Sequence, residues 1–261
     1  MCPVLFATDF DGTLSRHGQI EEETLHAAAD FRSRGGLFGV CSGRDPRSLQ
    51  TELERYHLTC DFRILMNGAR VEAGGKCLQE RLLTGYPDAL PLLREACPFF
   101  TLLGDGEVYM YSRADHGNIL RSPGEQAYLD ALRASYPMRS SAEDLQKVYQ
   151  ISCRTENDSA AVALAGKLKA CGLSAWPNCE YVDIVPDGVG KADAVAVIAA
   201  YYGVPDAQVY TAGDGRNDME MLSRYHGFAM ADAEACVRLA AKRTVHSVGE
   251  ALSAVCKEEN L

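Results

Sequence analysis

No two cysteines of this chain stand at the C-x-x-C spacing of a structural zinc site, and none of the six histidines is paired with another at i, i+4. Zinc chemistry is therefore disfavoured. Basic residues are in the minority, 26 Lys and Arg against 36 Asp and Glu, for a formal charge of −10. A surface of that sign argues against nucleic acid as a partner, because non-specific binding needs basic stripes that neutralise phosphates. It also means that an anionic substrate must be drawn in by a local site against the overall field. Long apolar runs are missing as well. Stretches such as Ala194–Tyr202 fall far short of the roughly 20 residues that span a bilayer. No basic segment precedes the first apolar run, and Asp9 interrupts that run. Internal repeats and low-complexity tracts are absent. The expectation is a soluble cytoplasmic protein with no membrane partner, its ten cysteines mostly small, buried, reduced side chains.

What the chain does have is apolar material, 47% of 261 residues, enough for one large domain or two modest ones. Val4–Thr8 is a short apolar run ending in an aspartate, as a buried parallel strand would. Glu21–Arg34 carries Leu25, Ala28, Ala29 and Phe31 along one side, acids in its first turn and Gly35-Gly36 as a stop, which predicts a helix. Leu37–Cys41 is a second strand. The next helix opens at Asp45-Pro46, a capping acid followed by proline at the first helical position. Phe62–Met66 is a third strand, ending at Asn67-Gly68. This alternation implies a parallel sheet with right-handed crossovers. It resumes with a helix at Lys191–Tyr202, a strand at Gln208–Ala212, a helix starting in Asp218–Ser223 and a strand at Gly227–Met230.

The middle of the chain differs. Arg70–Leu82 and Phe99–Ser112 read as hairpins, turning at Ala73-Gly74-Gly75 and Gly104-Asp105-Gly106. Helical patterns at Glu125–Ser135 and Ser159–Cys171 flank the strand-like Lys147–Arg154, and short strands lie near Ser174–Trp176 and Tyr181–Val185. The resulting fold class is α/β: a doubly wound parallel-sheet core, residues 1–82 and 185–261, with an α+β domain inserted at 83–184.

Two acidic clusters and a lysine carry the chemistry. They are Asp9-Phe10-Asp11-Gly12-Thr13-Leu14, Gly213-Asp214-Gly215-Arg216-Asn217-Asp218, and Gly190-Lys191-Ala192-Asp193. Asp9 ends the first strand, Ser42 the second, and Asp214 follows the strand at Gln208–Ala212. In an open parallel sheet those ends share one edge, where ligands bind. Carboxylates that converge there repel one another unless a cation lies between them. A hard divalent ion such as Mg²⁺ takes carboxylate, carbonyl and water oxygens, and it can bridge to a phosphate whose charge Lys191 would help to balance. Two aspartates in D-x-D spacing can then divide the labour. One carboxylate attacks phosphorus, and the other protonates the leaving oxygen and later activates water. Asp9 is the better nucleophile because it ends the strand, while Asp11 projects from the turn that Gly12 allows. Ser42-Gly43, at a strand-to-helix turn, offers a hydroxyl and backbone amides to a phosphate.

As a set, these elements resemble the four motifs of the haloacid dehalogenase (HAD) superfamily of phosphohydrolases. Leu5–Leu14 and Ala212–Leu222 are especially close to its Cof-type branch, which carries a cap (C2, type IIB) inserted after the third core strand. The likeness spans the core; the inserted segment matches in size and element order rather than in residues. The resemblance implies a Mg²⁺-dependent phosphatase that acts through an aspartyl-phosphate on a small phosphorylated metabolite, a sugar phosphate or a cofactor-related phosphate. It implies Asp9 as nucleophile and metal ligand, and Asp11 as acid/base that gives its backbone carbonyl to the metal. Phe10, through its backbone, and Ser42, Gly43, Lys191 and Asn217 would contact the phosphate. Asp214 would complete the metal site, with Asp218 behind it.

Weaker signals remain. Arg44 and Asn67 lie on loops at the catalytic edge, within reach of a substrate. Arg113, His116 and Asp183 are the candidates in the inserted segment, against a reading of solvated surface. Gly104-Asp105-Gly106-Glu107 mimics the later Gly-Asp-Gly but sits between alternating strands, as a hairpin turn does. Asp9–Gly12 also looks like the start of a calcium loop. An EF-hand, however, needs glycine at position six and an acid at twelve, where this chain has Leu14 and Ile20. A phosphomutase would use the same residues and return the phosphoryl group to its substrate. A metal-dependent glycosyltransferase also uses D-x-D, but has no need of Lys191 or the second acidic cluster. A receiver-like module phosphorylated on Asp9 would need a long-lived acyl phosphate, which a neighbouring Asp11 would tend to destroy. The oligomeric state is not legible.

Overall fold

In the computed structural model, residues 3–113 and 123–261 are described; His116 lies outside them. The chain divides into two compact units, one formed by Met1–Arg44, Leu49–Glu80 and Gly190–Leu261, the other by Asp45–Ser48 and Arg81–Val189.

The first unit is built on an eight-stranded sheet. In spatial order its strands are Arg243–Val245, His226–Met230, Val209–Gly213, Leu5–Thr8, Leu37–Cys41, Phe62–Leu65, Arg70–Ala73 and Lys76–Glu80. The first six run parallel and the last two antiparallel. Leu5–Thr8 is central and wholly buried, as an apolar run covered on both faces must be. Successive side chains point to opposite faces. Phe6 meets Phe31, Phe38 and Phe228 on one face. On the other, Leu5 and Ala7 pack with Val195 and Ile198 of the helix Lys191–Tyr202. The sheet is therefore doubly wound, and the carboxyl ends of Leu5–Thr8, Leu37–Cys41 and Val209–Gly213 lie side by side.

The second unit holds a six-stranded sheet in the order Leu173–Asn178, Tyr181–Pro186, Val148–Arg154, Phe99–Gly104, Val108–Ser112 and Met138–Arg139. All its pairings are antiparallel except the last. Helices Tyr86–Ala96 and Asp158–Ala170 cover one face, burying Leu90, Leu93, Leu164 and Leu168 against Phe100, Leu102, Ile151 and Val182. On the opposite face, Leu132 of Pro123–Ser135 packs on Leu103 and Val108.

Most elements lie within one or two residues of their expected bounds. Asp45 Oδ1 accepts the amides of Arg47 and Ser48, as a capping acid does, and the Gly104–Glu107 turn closes the hairpin with Gly104 N donating to Glu107 O. Tyr86–Ala96 is a helix that the sequence pattern does not predict. Pro91 inside it costs on the order of 3 kcal/mol and reads as a break, yet buried Ala89, Leu90 and Leu93 hold the helix. The tail adds three further elements beyond those predicted: Ala235–Ala240, Arg243–Val245 and Val248–Glu258. A usable signal existed in Ser247-x-x-Glu250, where Ser247 Oγ accepts Glu250 N and the Glu250 carboxylate accepts His246 N.

The cysteines require a correction. Among the described residues Cys41, Cys97 and Cys153 are buried, but Cys77, Cys171, Cys179 and Cys236 are exposed. Cys77 lies on the edge strand, Cys171 ends a helix and Cys179 sits in a turn, positions that face water whatever their side chain. Among the described residues, no helix is long and apolar enough to cross a membrane.

Candidate active site

Asp9 is fixed by its position in the sheet, its amide donating to Ala212 O at 2.8 Å across to the neighbouring strand. Beyond it the chain coils tightly, with Ser15 N on Phe10 O at 2.7 Å and Gly12 N on Ser15 O at 2.9 Å. Gly12 makes the coil possible at φ 89°, and its missing side chain makes room for Asp214. A Cβ there would stand 2.3 Å from Asp214 Oδ2. Thr13, a residue the motif reading passed over, donates its hydroxyl to Asp214 Oδ1 at 2.5 Å.

Lys191 opens its helix with its side chain turned into the protein, 2% exposed. Its Nζ lies 2.6 Å from Asp9 Oδ1 and 2.6 Å from Asp218 Oδ1. The other oxygen of Asp218 accepts two backbone amides, Asp214 N at 3.1 Å and Gly215 N at 2.9 Å. Carboxylate oxygens of Asp9, Asp214 and Asp218 all lie within 4.8 Å of one another. With all three acids ionised, the one ammonium would leave two negative charges without a counter-charge in this cluster.

The electrostatics reflect that imbalance. Burial, and then the charges of Asp218 and Asp214, push the Asp9 carboxyl well above the usual carboxylate range, although Lys191 opposes them. Burial likewise raises Asp214, and the Thr13 hydroxyl pulls it back. Burial works against the Lys191 ammonium, but Asp218 and Asp9 outweigh it and hold the lysine well above its ordinary value. A group of this kind fits a hard divalent cation. Its donors are all oxygen, its charge deficit is two, and burial penalises any carboxylate left unpaired. Asp218 commits both oxygens to protein donors, so Asp9 and Asp214 are the carboxylates suited to hold an ion.

Asp11 stands outside this cluster. Its carboxylate is gripped by Arg44 through two bonds, Nε to Oδ2 and Nη2 to Oδ1, both 2.7 Å. The Arg44 guanidinium also lies over the buried Phe10 ring, 4.9 Å from its centroid. Ser42 is buried, and its hydroxyl accepts Arg44 N at 3.1 Å. Gly43 lies between them on the same turn. Asn217 donates Nδ2 to Asn67 Oδ1 at 3.0 Å. In the second unit the Arg113 guanidinium donates to the carbonyls of Arg94 and Glu95, at the end of the helix Tyr86–Ala96. Terminal carbonyls lack helical partners and draw such donors. Asp183 accepts the Ser152 hydroxyl at 2.6 Å on the sheet.

Residues 6–257 match the family model of the haloacid dehalogenase-like hydrolases. The chain belongs to that family. Within it the chain is a phosphatase of the Cof-type branch. It is 25% identical over 268 residues to the 5-amino-6-(5-phospho-D-ribitylamino)uracil phosphatase YitU of Bacillus subtilis (strain 168), covering 93% of this chain and 92% of that one. It is 28% identical over 231 residues to the HMP-PP phosphatase of Cronobacter sakazakii, covering 84% and 80%. Among solved structures, the HAD subclass IIB sugar phosphatase BT4131 superposes with a TM-score of 0.79 at 18% identity, over 98% of this chain and 99% of that one. At that identity the likeness is one of fold.

Proposed function

We propose that this HAD enzyme is a Mg²⁺-dependent phosphomonoesterase that works through an aspartyl-phosphate on Asp9. The observation that carries the reading is the meeting of Asp9, Asp214 and Asp218 within 4.8 Å, with the buried Lys191 ammonium 2.6 Å from two of them. An Asp9 carboxylate oxygen attacks phosphorus, and the bond from phosphorus to the substrate oxygen breaks as the acyl phosphate forms. Asp11, once a substrate phosphate has drawn Arg44 away and the freed carboxylate has taken up a proton from solvent, protonates the departing oxygen. It then takes a proton from the water that cleaves the intermediate, releasing orthophosphate and regenerating Asp9. Lys191, the Ser42 hydroxyl, the Phe10 and Gly43 amides and the Asn217 carboxamide supply donors to the phosphoryl oxygens. Arg44, paired with Asp11 at the rim, is the cation a substrate phosphate would meet there. Held by the carboxylates of Asp9 and Asp214 and the carbonyl of Asp11, Mg²⁺ would neutralise phosphoryl charge as a Lewis acid. Asp218 orients Lys191 and the Asp214 amide from behind.

Residues 83–184 act, in this reading, as the cap that selects the substrate and limits the access of water. The names of the two relatives support a small phosphorylated metabolite as the substrate; in our reading it is a cofactor-related phosphate or a sugar phosphate. The test is a panel of such phosphates, 5-amino-6-(5-phospho-D-ribitylamino)uracil among them, assayed for orthophosphate. Turnover without orthophosphate release would replace the hydrolase with a phosphomutase.

Gly12→Ala tests the metal site. The new methyl group collides with Asp214, and φ 89° strains any side chain. The Mg²⁺ concentration for half-maximal activity should rise at least about tenfold, as for loss of roughly 1.4 kcal/mol of binding. An unchanged Mg²⁺ titration would remove Asp214 from the metal site.

A further inference from the structure

We infer that Asn67 is a positioning residue for the phosphate site, acting by orienting the Asn217 carboxamide; the inference rests on the phosphatase reading above. It starts from the turn Met66–Gly68 at the carboxyl end of the strand Phe62–Leu65. Three successive residues there have positive φ, Met66 at 49°, Asn67 at 53° and Gly68 at 104°. Side chains other than glycine rarely adopt this conformation, and it persists only where the surroundings impose it.

Those surroundings are the segments proposed to hold phosphate. Met66 N donates to Arg44 O at 3.1 Å and Asn67 N to Ser42 O at 3.0 Å. Gly68 lies against the residue before Lys191, so closely that a Cβ would stand 2.7 Å from Gly190 O. Asn67 Oδ1 accepts Asn217 Nδ2 at 3.0 Å across 150 positions of sequence. The turn thus ties together the Ser42–Arg44 loop, the approach to Lys191, and Asn217.

The Asn67 side chain is 1% exposed. Asparagine tolerates positive φ, but glycine would satisfy the backbone as well, so the turn alone does not call for a buried carboxamide. The bond to Asn217 does. A carboxamide can be flipped end for end, and only one orientation presents donors to an anion. Asn67 Oδ1 accepts one of the two Nδ2 hydrogens and thereby fixes that orientation, leaving the second hydrogen for a phosphoryl oxygen. The carbonyl end of Asn217 is held over Gly215, where a Cβ would stand 2.5 Å from Oδ1.

The experiment is a double-mutant cycle with Asn67→Gly and Asn217→Ala, read as kcat, KM for an aryl phosphate, the inhibition constant of orthophosphate, and melting temperature, all with Mg²⁺. Asn67→Gly keeps the turn and removes the carboxamide. KM and the orthophosphate constant should each rise by about tenfold, the size of effect expected for one hydrogen bond to a charged group, with the melting temperature within a few degrees of wild type. The double variant should be no worse than the poorer single variant, because both changes remove one function. Losses that add, or constants within twofold of wild type for Asn67→Gly, overturn the inference. So does a fall in melting temperature with unchanged constants. Should Asn67→Gly fail to fold, side-chain NMR of the wild type decides. One Asn217 amide proton should resist exchange throughout while the other shifts on adding orthophosphate, and two equivalent, rapidly exchanging protons would refute the proposal. A wild type that binds no orthophosphate defeats the phosphatase reading itself, and this inference with it.

Discussion

Asp9→Asn is expected to abolish Mg²⁺-dependent hydrolysis of an aryl phosphate, lowering kcat by at least about 10³-fold, as removal of a covalent nucleophile does. The melting temperature should nevertheless stay at or above that of wild type. An amide nitrogen or carbonyl at this position cannot form the acyl phosphate, so the loss falls on kcat whatever the affinity for substrate. Stability moves the other way because the Asp9 carboxyl is held well above its usual range, chiefly by burial and by its acidic neighbours. A carboxyl raised in the folded state destabilises that state when ionised, so the penalty is present above the folded pKa and fades as pH falls through it. The neutral isostere escapes the penalty, and Lys191 keeps its 2.6 Å contact with Asp218. In EDTA the difference in melting temperature between variant and wild type should therefore shrink on acidification. More than a few per cent of wild-type kcat would remove Asp9 as the nucleophile. A variant much less stable than wild type at neutral pH would mean that Lys191 requires both carboxylates.

Much of this geometry is legible in the chain because strand burial writes it in short, local patterns. Asp9, Ser42 and Asp214 could be assigned to one edge because each follows an apolar run of strand length, and parallel strands put their carboxyl ends together. Lys191 could be expected to point inward only through its motif, since a lysine at a helix start is ordinarily solvated. What the sequence hides is long-range pairing between small polar groups. The Thr13 hydroxyl meets Asp214 across 201 positions and Asn67 meets Asn217 across 150, and no local pattern announces either. The grip of Arg44 on Asp11 is hidden as well, because Asp11 reads as the acid/base and Arg44 as a substrate contact, each on its own. Tyr86–Ala96 went unseen for a different cause. Pro91 weighs against a helix locally, and the packing of Leu90 and Leu93 that outweighs it belongs to the folded second unit.

Lys191→Ala should act on both catalysis and stability, and the two losses have separate signatures. In the proposed mechanism the ammonium is a preorganised charge beside the transferring phosphoryl group, and its removal should cost about 3 kcal/mol, or roughly 10²-fold in kcat/KM. In the resting protein the same change leaves Asp9, Asp214 and Asp218 within 4.8 Å of one another with no cation between them. Deleting one partner of a buried ion pair costs on the order of 3–5 kcal/mol, so the melting temperature in EDTA should fall sharply. Mg²⁺ should restore part of that stability by compensating the carboxylates, but not the lost rate, because the ammonium reaches the phosphate independently of the metal. Lys191→Arg should restore little of either, since a planar guanidinium cannot fit between two carboxylates that each lie 2.6 Å from a compact ammonium. The sign with pH follows from the raised pKa of the lysine. Its stabilising effect is complete below the ordinary value of 10.5 and is lost only as pH rises through the higher folded value. The gap between wild type and Lys191→Ala should thus persist across neutral pH, narrowing on acidification only as the carboxylates of the variant take up protons. A rate change below tenfold beside a large fall in melting temperature would make Lys191 a structural counter-ion and take it out of the phosphate site.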